Sequence, residues 1–87
     1  ETHLYHITES GVEFKIGESA QGLNKFGKSK RAEQQAQRLR KETGKVFDTE
    51  IIANFLGKKE ARAAETKLIL ERRAKNPNAL PGNKGVH

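Results

Sequence analysis

The chain has 87 residues, 33% hydrophobic and 32% charged, with 17 Lys+Arg against 11 Asp+Glu for a net charge of +6. That length holds one small core and excludes large multidomain enzymes. The longest apolar runs, such as Ile51-Ile52-Ala53 and Leu68-Ile69-Leu70, fall far short of the roughly 20 residues a membrane helix needs.

No cysteine is present, so neither a disulfide framework nor a thiolate zinc site can form. With no methionine and no charged-then-apolar leader after Glu1, the chain is expected to be a single domain, residues 1–87, cut from a longer protein. A basic surplus favours polyanionic partners, nucleic acid first and a membrane surface second.

In chain order, His3 to Ile7 and Val12 to Gly17 are rich in β-formers, and Val12, Phe14 and Ile16 alternate with polar residues. Thr8-Glu9-Ser10-Gly11 separates them, which predicts a hairpin. A glycine-containing loop follows over Glu18 to Lys28. Ser29 is placed to cap a helix from Lys30 to about Thr43, with Ala32, Ala36 and Leu39 on one stripe and Gly44 to end it. Val46 to Phe55 reads as a third strand, entered near Asp48. Lys58 to Lys75 is rich in helix formers, and Pro77, Pro81, Gly82 and Gly85 keep the tail out of regular helix. The expected fold is a small α+β domain, a three-stranded sheet with two main helices in the order β-β-α-β-α, plus an irregular C-terminal loop.

Charge is concentrated. Ser19 to Lys41 contains Lys25, Lys28, Lys30, Arg31, Arg38, Arg40 and Lys41 against the single acid Glu33, so this stretch carries +6, equal to the net charge of the whole chain. It reads either as a solvated helix face or as a phosphate-binding surface, and its concentration on one loop and one helix favours the second.

Glu65 is the residue the fold alone does not explain. Ala61, Leu68 and Ile69 flank it at helical spacing, so its carboxylate falls within the apolar stripe. It must pair with a Lys or Arg, hold Mg²⁺, or partner a catalytic cation. Arg31, at the start of the first helix, is either one cation among seven or a bidentate clamp on a phosphate. His3 and His6 are three apart on a strand, point to opposite faces and cannot chelate one ion together. His6 is a structural histidine or a proton-transfer group, and His87 carries no interpretation. Tyr5 is either core or, beside a metal or arginine, a group that orients water or accepts a proton.

Leu4-Tyr5-His6-Ile7, then Phe14-Lys15-Ile16-Gly17-Glu18-Ser19, then Arg31, then Glu65 within Glu60-Ala61-Arg62-Ala63-Ala64-Glu65-Thr66-Lys67-Leu68-Ile69, then Asn83 after Leu80-Pro81-Gly82, resemble in order the motifs of the GIY-YIG nuclease superfamily. The sequence departs from that pattern with His3 in place of the glycine, Leu4 in place of an isoleucine, and Lys15 in place of the second tyrosine. The resemblance implies an active site of Tyr5, Arg31 and Glu65, with Glu65 binding a divalent metal and Asn83 or Asn78 in support. The chain also resembles C-terminal toxin modules of bacterial polymorphic toxins, including contact-dependent growth-inhibition effectors.

These resemblances imply a nuclease exported by a producing bacterium as part of a larger protein and acting in the cytoplasm of the target cell. A cognate immunity protein would block it, and a translation elongation factor is a possible further partner. The expected function is an endonuclease toxin that cleaves RNA, tRNA in particular, with Tyr5, His6, Arg31, Glu65 and Asn83 catalytic. Lys15, Lys25, Lys28, Lys30 and Arg38 are expected to bind the nucleic acid. No cofactor is required if the substrate is RNA; Mg²⁺ on Glu65 is expected if it is DNA. The alternatives are a metal-dependent DNase toxin and a non-catalytic basic nucleic-acid-binding module.

Overall fold

A computed structural model describes residues 1–84, so Gly85 and His87 of the expected tail lie outside the described residues. The elements are β1 (Thr2–Glu9), β2 (Val12–Ser19), α1 (Lys30–Thr43), β3 (Phe47–Phe55) and α2 (Lys58–Lys75), the expected α+β order β-β-α-β-α. The sheet order is β2-β1-β3, and β1 runs antiparallel to both neighbours. Ser10 and Gly11 turn the first hairpin with φ of 49° and 86°. Two successive left-handed residues match the right-handed twist of the strands they join. The Ser10 N–H donates to the Val46 carbonyl at 2.8 Å, which ties this turn to the entrance of β3.

The limits of α1 follow from its caps. Ser29 Oγ accepts the Ala32 N–H, and Gly44, at φ 72°, donates its N–H to the Arg40 carbonyl. Ala32 and Ala36 press against Tyr5, Ile7 and Phe47, with Phe14 and Leu39 packed around them. Ile69 of α2 forms a second cluster with Ile16 and Leu80. Ile16 is the cross-strand partner of His6, the neighbour of Tyr5. Alternation along β1 therefore puts the two clusters on opposite faces, with the sheet between its helices.

Two local features set the shape of β2 and its outer edge. The register of the first hairpin slips so that Ile7 faces Lys15 and Thr8 faces Glu13, which leaves Phe14 as the extra residue of a β-bulge. Phe14 meets Phe47 edge-on at 5.2 Å. The tail closes the strand's free edge. Gly82 N–H donates to the Phe14 carbonyl at 2.7 Å, while the Asn83 amide accepts from Ile16 N–H at 2.9 Å and donates to the Ile16 carbonyl at 2.8 Å. Arg73 Nη2 holds the Asn83 carbonyl at 2.7 Å.

Candidate active site

Tyr5, Lys15, Arg31, Glu65 and Asn83 line one open cavity of about 510 Å³ along β2. Gly17 makes it possible. Tyr5 faces Gly17 across the hairpin, and a Cβ at Gly17 would lie 2.4 Å from both Cζ and Oη of the tyrosine. Only a residue without a side chain lets the phenol cross β2. The Tyr5 hydroxyl donates to Gln35 Oε1 at 3.2 Å, with the Arg31 guanidinium beside it. Burial, reinforced by Glu65, pushes the phenol above its usual value against the pull of Arg31 and Gln35. Tyr5 therefore stays protonated and serves as a donor at neutral pH.

Both helices approach at the same spacing. On α1, Arg31, Gln35 and Arg38 follow one another at i, i+4 and i+7; on α2, so do Lys58, Arg62 and Glu65. Glu65 is 2% exposed and its charge acts on both Tyr5 and Lys15. Burial lowers the Lys15 ammonium pKa, the Arg31 and Arg38 charges lower it further, and Glu65 opposes them. The lowered pKa makes this ammonium easier to deprotonate than that of a solvated lysine.

The wall holds four basic side chains, Lys15, Arg31, Lys58 and Arg62, against the carboxylates of Glu18 and Glu65, a surplus suited to a phosphodiester. Arg62 Nη2 reaches Glu18 Oε1 at 3.3 Å, and Glu18 Oε2 is buried without a hydrogen-bond partner among the described residues. Mg²⁺ often takes only one or two protein carboxylates, with substrate phosphates and water completing its shell. Glu65 and Glu18 fit that donor set.

The other candidates sit elsewhere. His6 lies on the opposite face of the sheet from Tyr5, with Nδ1 2.9 Å from Glu13 and Nε2 3.1 Å from Glu50. Burial alone would push Glu13 up, but hydrogen bonds from His6 and Arg72 hold it below its usual value. Lys28 donates to the Thr49 carbonyl at 2.7 Å, and Arg40 grips the Phe47 carbonyl through Nε and Nη2. Two residues of the basic stretch thus latch the loop and α1 to β3. Lys25, Lys30 and Arg38 are exposed, and Arg38 shares a depression with Lys15 and Lys84 next to the cavity. Asn78 is exposed and lines a different groove, whereas both groups of the Asn83 amide hold Ile16. Asn83 is a positioning residue for β2.

Sequence reasoning missed Glu18, Gln35, Lys58 and Arg62. The repeated i, i+4, i+7 spacing is the signal that finds three of them once Arg31 and Glu65 are fixed. His3 is a further supporting residue. Its Nε2 lies 2.8 Å from Ser29 Oγ, so β1 holds the cap of the helix that carries Arg31, and burial lowers the pKa of the imidazole.

A family model described as URI fold toxin 2 (Tox-URI2) matches residues 1–70. That span includes Tyr5, Lys15, Arg31 and Glu65 and leaves out Asn83. No curated protein and no solved structure gives a significant match.

Proposed function

The chain belongs to the URI fold toxin 2 family and is a toxin domain, and from that premise we propose that it kills by cleaving RNA, tRNA in particular, in the cavity along β2. One observation carries this: Tyr5, Lys15, Arg31 and Glu65, from four different elements, converge on a single cationic cavity.

The ribose 2′-OH attacks the adjacent phosphorus, the bond from phosphorus to the 5′-oxygen breaks, and a 2′,3′-cyclic phosphate and a 5′-OH result. The 2′ proton passes to the Lys15 side chain when its amine is deprotonated, a form that its lowered pKa favours, and solvent supplies a proton to the departing oxygen. Arg31 forks onto the non-bridging oxygens as their charge grows, and a preorganised donor of this kind is usually the largest catalytic contribution. Tyr5 donates to the same phosphoryl group. Glu65 holds Lys15 and Arg31 in register, and Lys58 and Arg62 bind the flanking phosphate.

A metal-dependent DNase has one observation in its favour, the buried Oε2 of Glu18, which has no hydrogen-bond partner among the described residues and lies on the same wall as Glu65. Mg²⁺ held there would supply Lewis-acid activation of the phosphate. In either case the larger exported protein delivers the domain to a neighbouring bacterium, and an immunity protein protects the producer by covering the cavity. A translation elongation factor is a candidate escort to tRNA.

Incubating the chain with total cellular RNA and supercoiled plasmid tests the proposal. The expected result is cut RNA, with cyclic phosphate ends, and intact plasmid. Intact RNA and plasmid, with binding that weakens as salt rises, would select the non-catalytic module instead.

A further inference from the structure

We propose that Phe26 is a stacking platform for an unpaired base of the RNA, presented at the rim of the cavity by the loop between β2 and α1. The inference rests on the function proposed above in taking RNA as the substrate.

Phe26 is 77% exposed, whereas Phe14 and Phe47 pack in the core. An exposed phenyl ring forfeits the transfer free energy that burial would return. Its presentation is nevertheless built. Asn24 Oδ1 accepts the N–H groups of Phe26 and Lys28 at 2.9 and 3.0 Å, and Asn24 N–H donates to the Lys28 carbonyl at 2.8 Å. Gly27 adopts φ 77° and donates to the Asn24 carbonyl at 3.1 Å, and a β-bridge joins Leu23 to Ser29. These bonds fix a miniature hairpin with the phenyl ring near its tip.

Position and charge select the occupant. Gln21 and Arg31 both line the cavity, so the loop leaves and returns at its wall. Phe26 is five residues from each, a reach of at most about 18 Å of extended chain. That distance places the ring within a few nucleotides of a phosphate on Arg31. No acidic residue occurs from Ser19 to Ala32, while Lys25, Lys28, Lys30 and Arg31 do. Lys25 Nζ sits over the ring, 5.3 Å from its centroid, and most of the residue's surface is open to solvent. An aromatic face among cations, on a loop whose two ends line the cavity, is the combination by which proteins hold single strands: bases stack while the backbone follows the charge.

Binding of 2′-O-methyl RNA, which lacks the attacking hydroxyl, tests this directly with the 87-residue chain. Phe26→Ala should weaken a single strand about 10-fold, Phe26→Tyr should restore it, and a blunt duplex of the same length should bind both variants as it binds the parent. The slope of log K against log salt should not change, because no phosphate contact is lost. Unchanged single-strand binding, equal loss on the duplex, or an effect confined to inhibition by the immunity protein would overturn the assignment. Phe26-dependent binding without cleavage would remove the nuclease and leave the platform; cleavage with Phe26-independent binding would do the reverse.

Discussion

Arg31→Lys is expected to lower RNA cleavage about 10²-fold with the melting temperature unchanged. The substitution keeps the charge and removes the planar fork. Arg31 is exposed on the first turn of α1, contributes nothing to either core cluster, and stands beside the Tyr5 hydroxyl at the cavity. A lysine there supplies a point charge to a phosphoryl group that needs two aligned donors in the transition state. Single-turnover cleavage and thermal melting of both proteins check the prediction. Near-normal turnover in the lysine variant would reduce Arg31 to general electrostatics.

Gly17→Ala should damage both fold and activity, because the added methyl lands 2.4 Å from the Tyr5 ring and hydroxyl. Neither side can yield freely: Gly17 is in the β1–β2 ladder and Tyr5 is packed against Ala32, Ala36 and Phe47. Overpacking of this kind costs about 1–3 kcal/mol. The displaced hydroxyl also loses Gln35 and Arg31, so cleavage should fall by at least about 10-fold, as expected where one positioned donor is lost. In a Tyr5→Leu background, with no ring to strike, the stability cost should shrink. An equal cost in both backgrounds would mean that the methyl strikes something other than Tyr5.

Much of this was legible in the sequence because the signals are local. Ser29 and Gly44 mark the ends of α1 through bonds that span three or four residues. Glu65 stands out as a carboxylate inside the stripe of Ala61 and Ile69, and all three are buried. The alternation that separates His3 from His6 equally separates Tyr5 from His6, so adjacent residues on β1 do not share a cavity. The illegible features depend on distant partners or broken periodicity. The bulge at Phe14 shifts the register by one residue, and nothing in a five-residue alternating run announces it. The pairing of Glu18 with Arg62 joins residues 44 apart, and the Asn83 clasp on Ile16 joins residues 67 apart. Net charge also concealed a division of labour, since Lys28 and Arg40 serve the fold while Arg31 faces the cavity.

Replacing a single nucleotide at the cleavage site by its 2′-deoxy counterpart tests the central claim most directly. Transesterification requires that hydroxyl, so the substituted RNA should resist cutting while the parent RNA is cleaved as well in EDTA as without it. Cleavage of the deoxy substrate together with full inhibition by EDTA would contradict the account and make Glu65 and Glu18 the ligands of a Mg²⁺ ion.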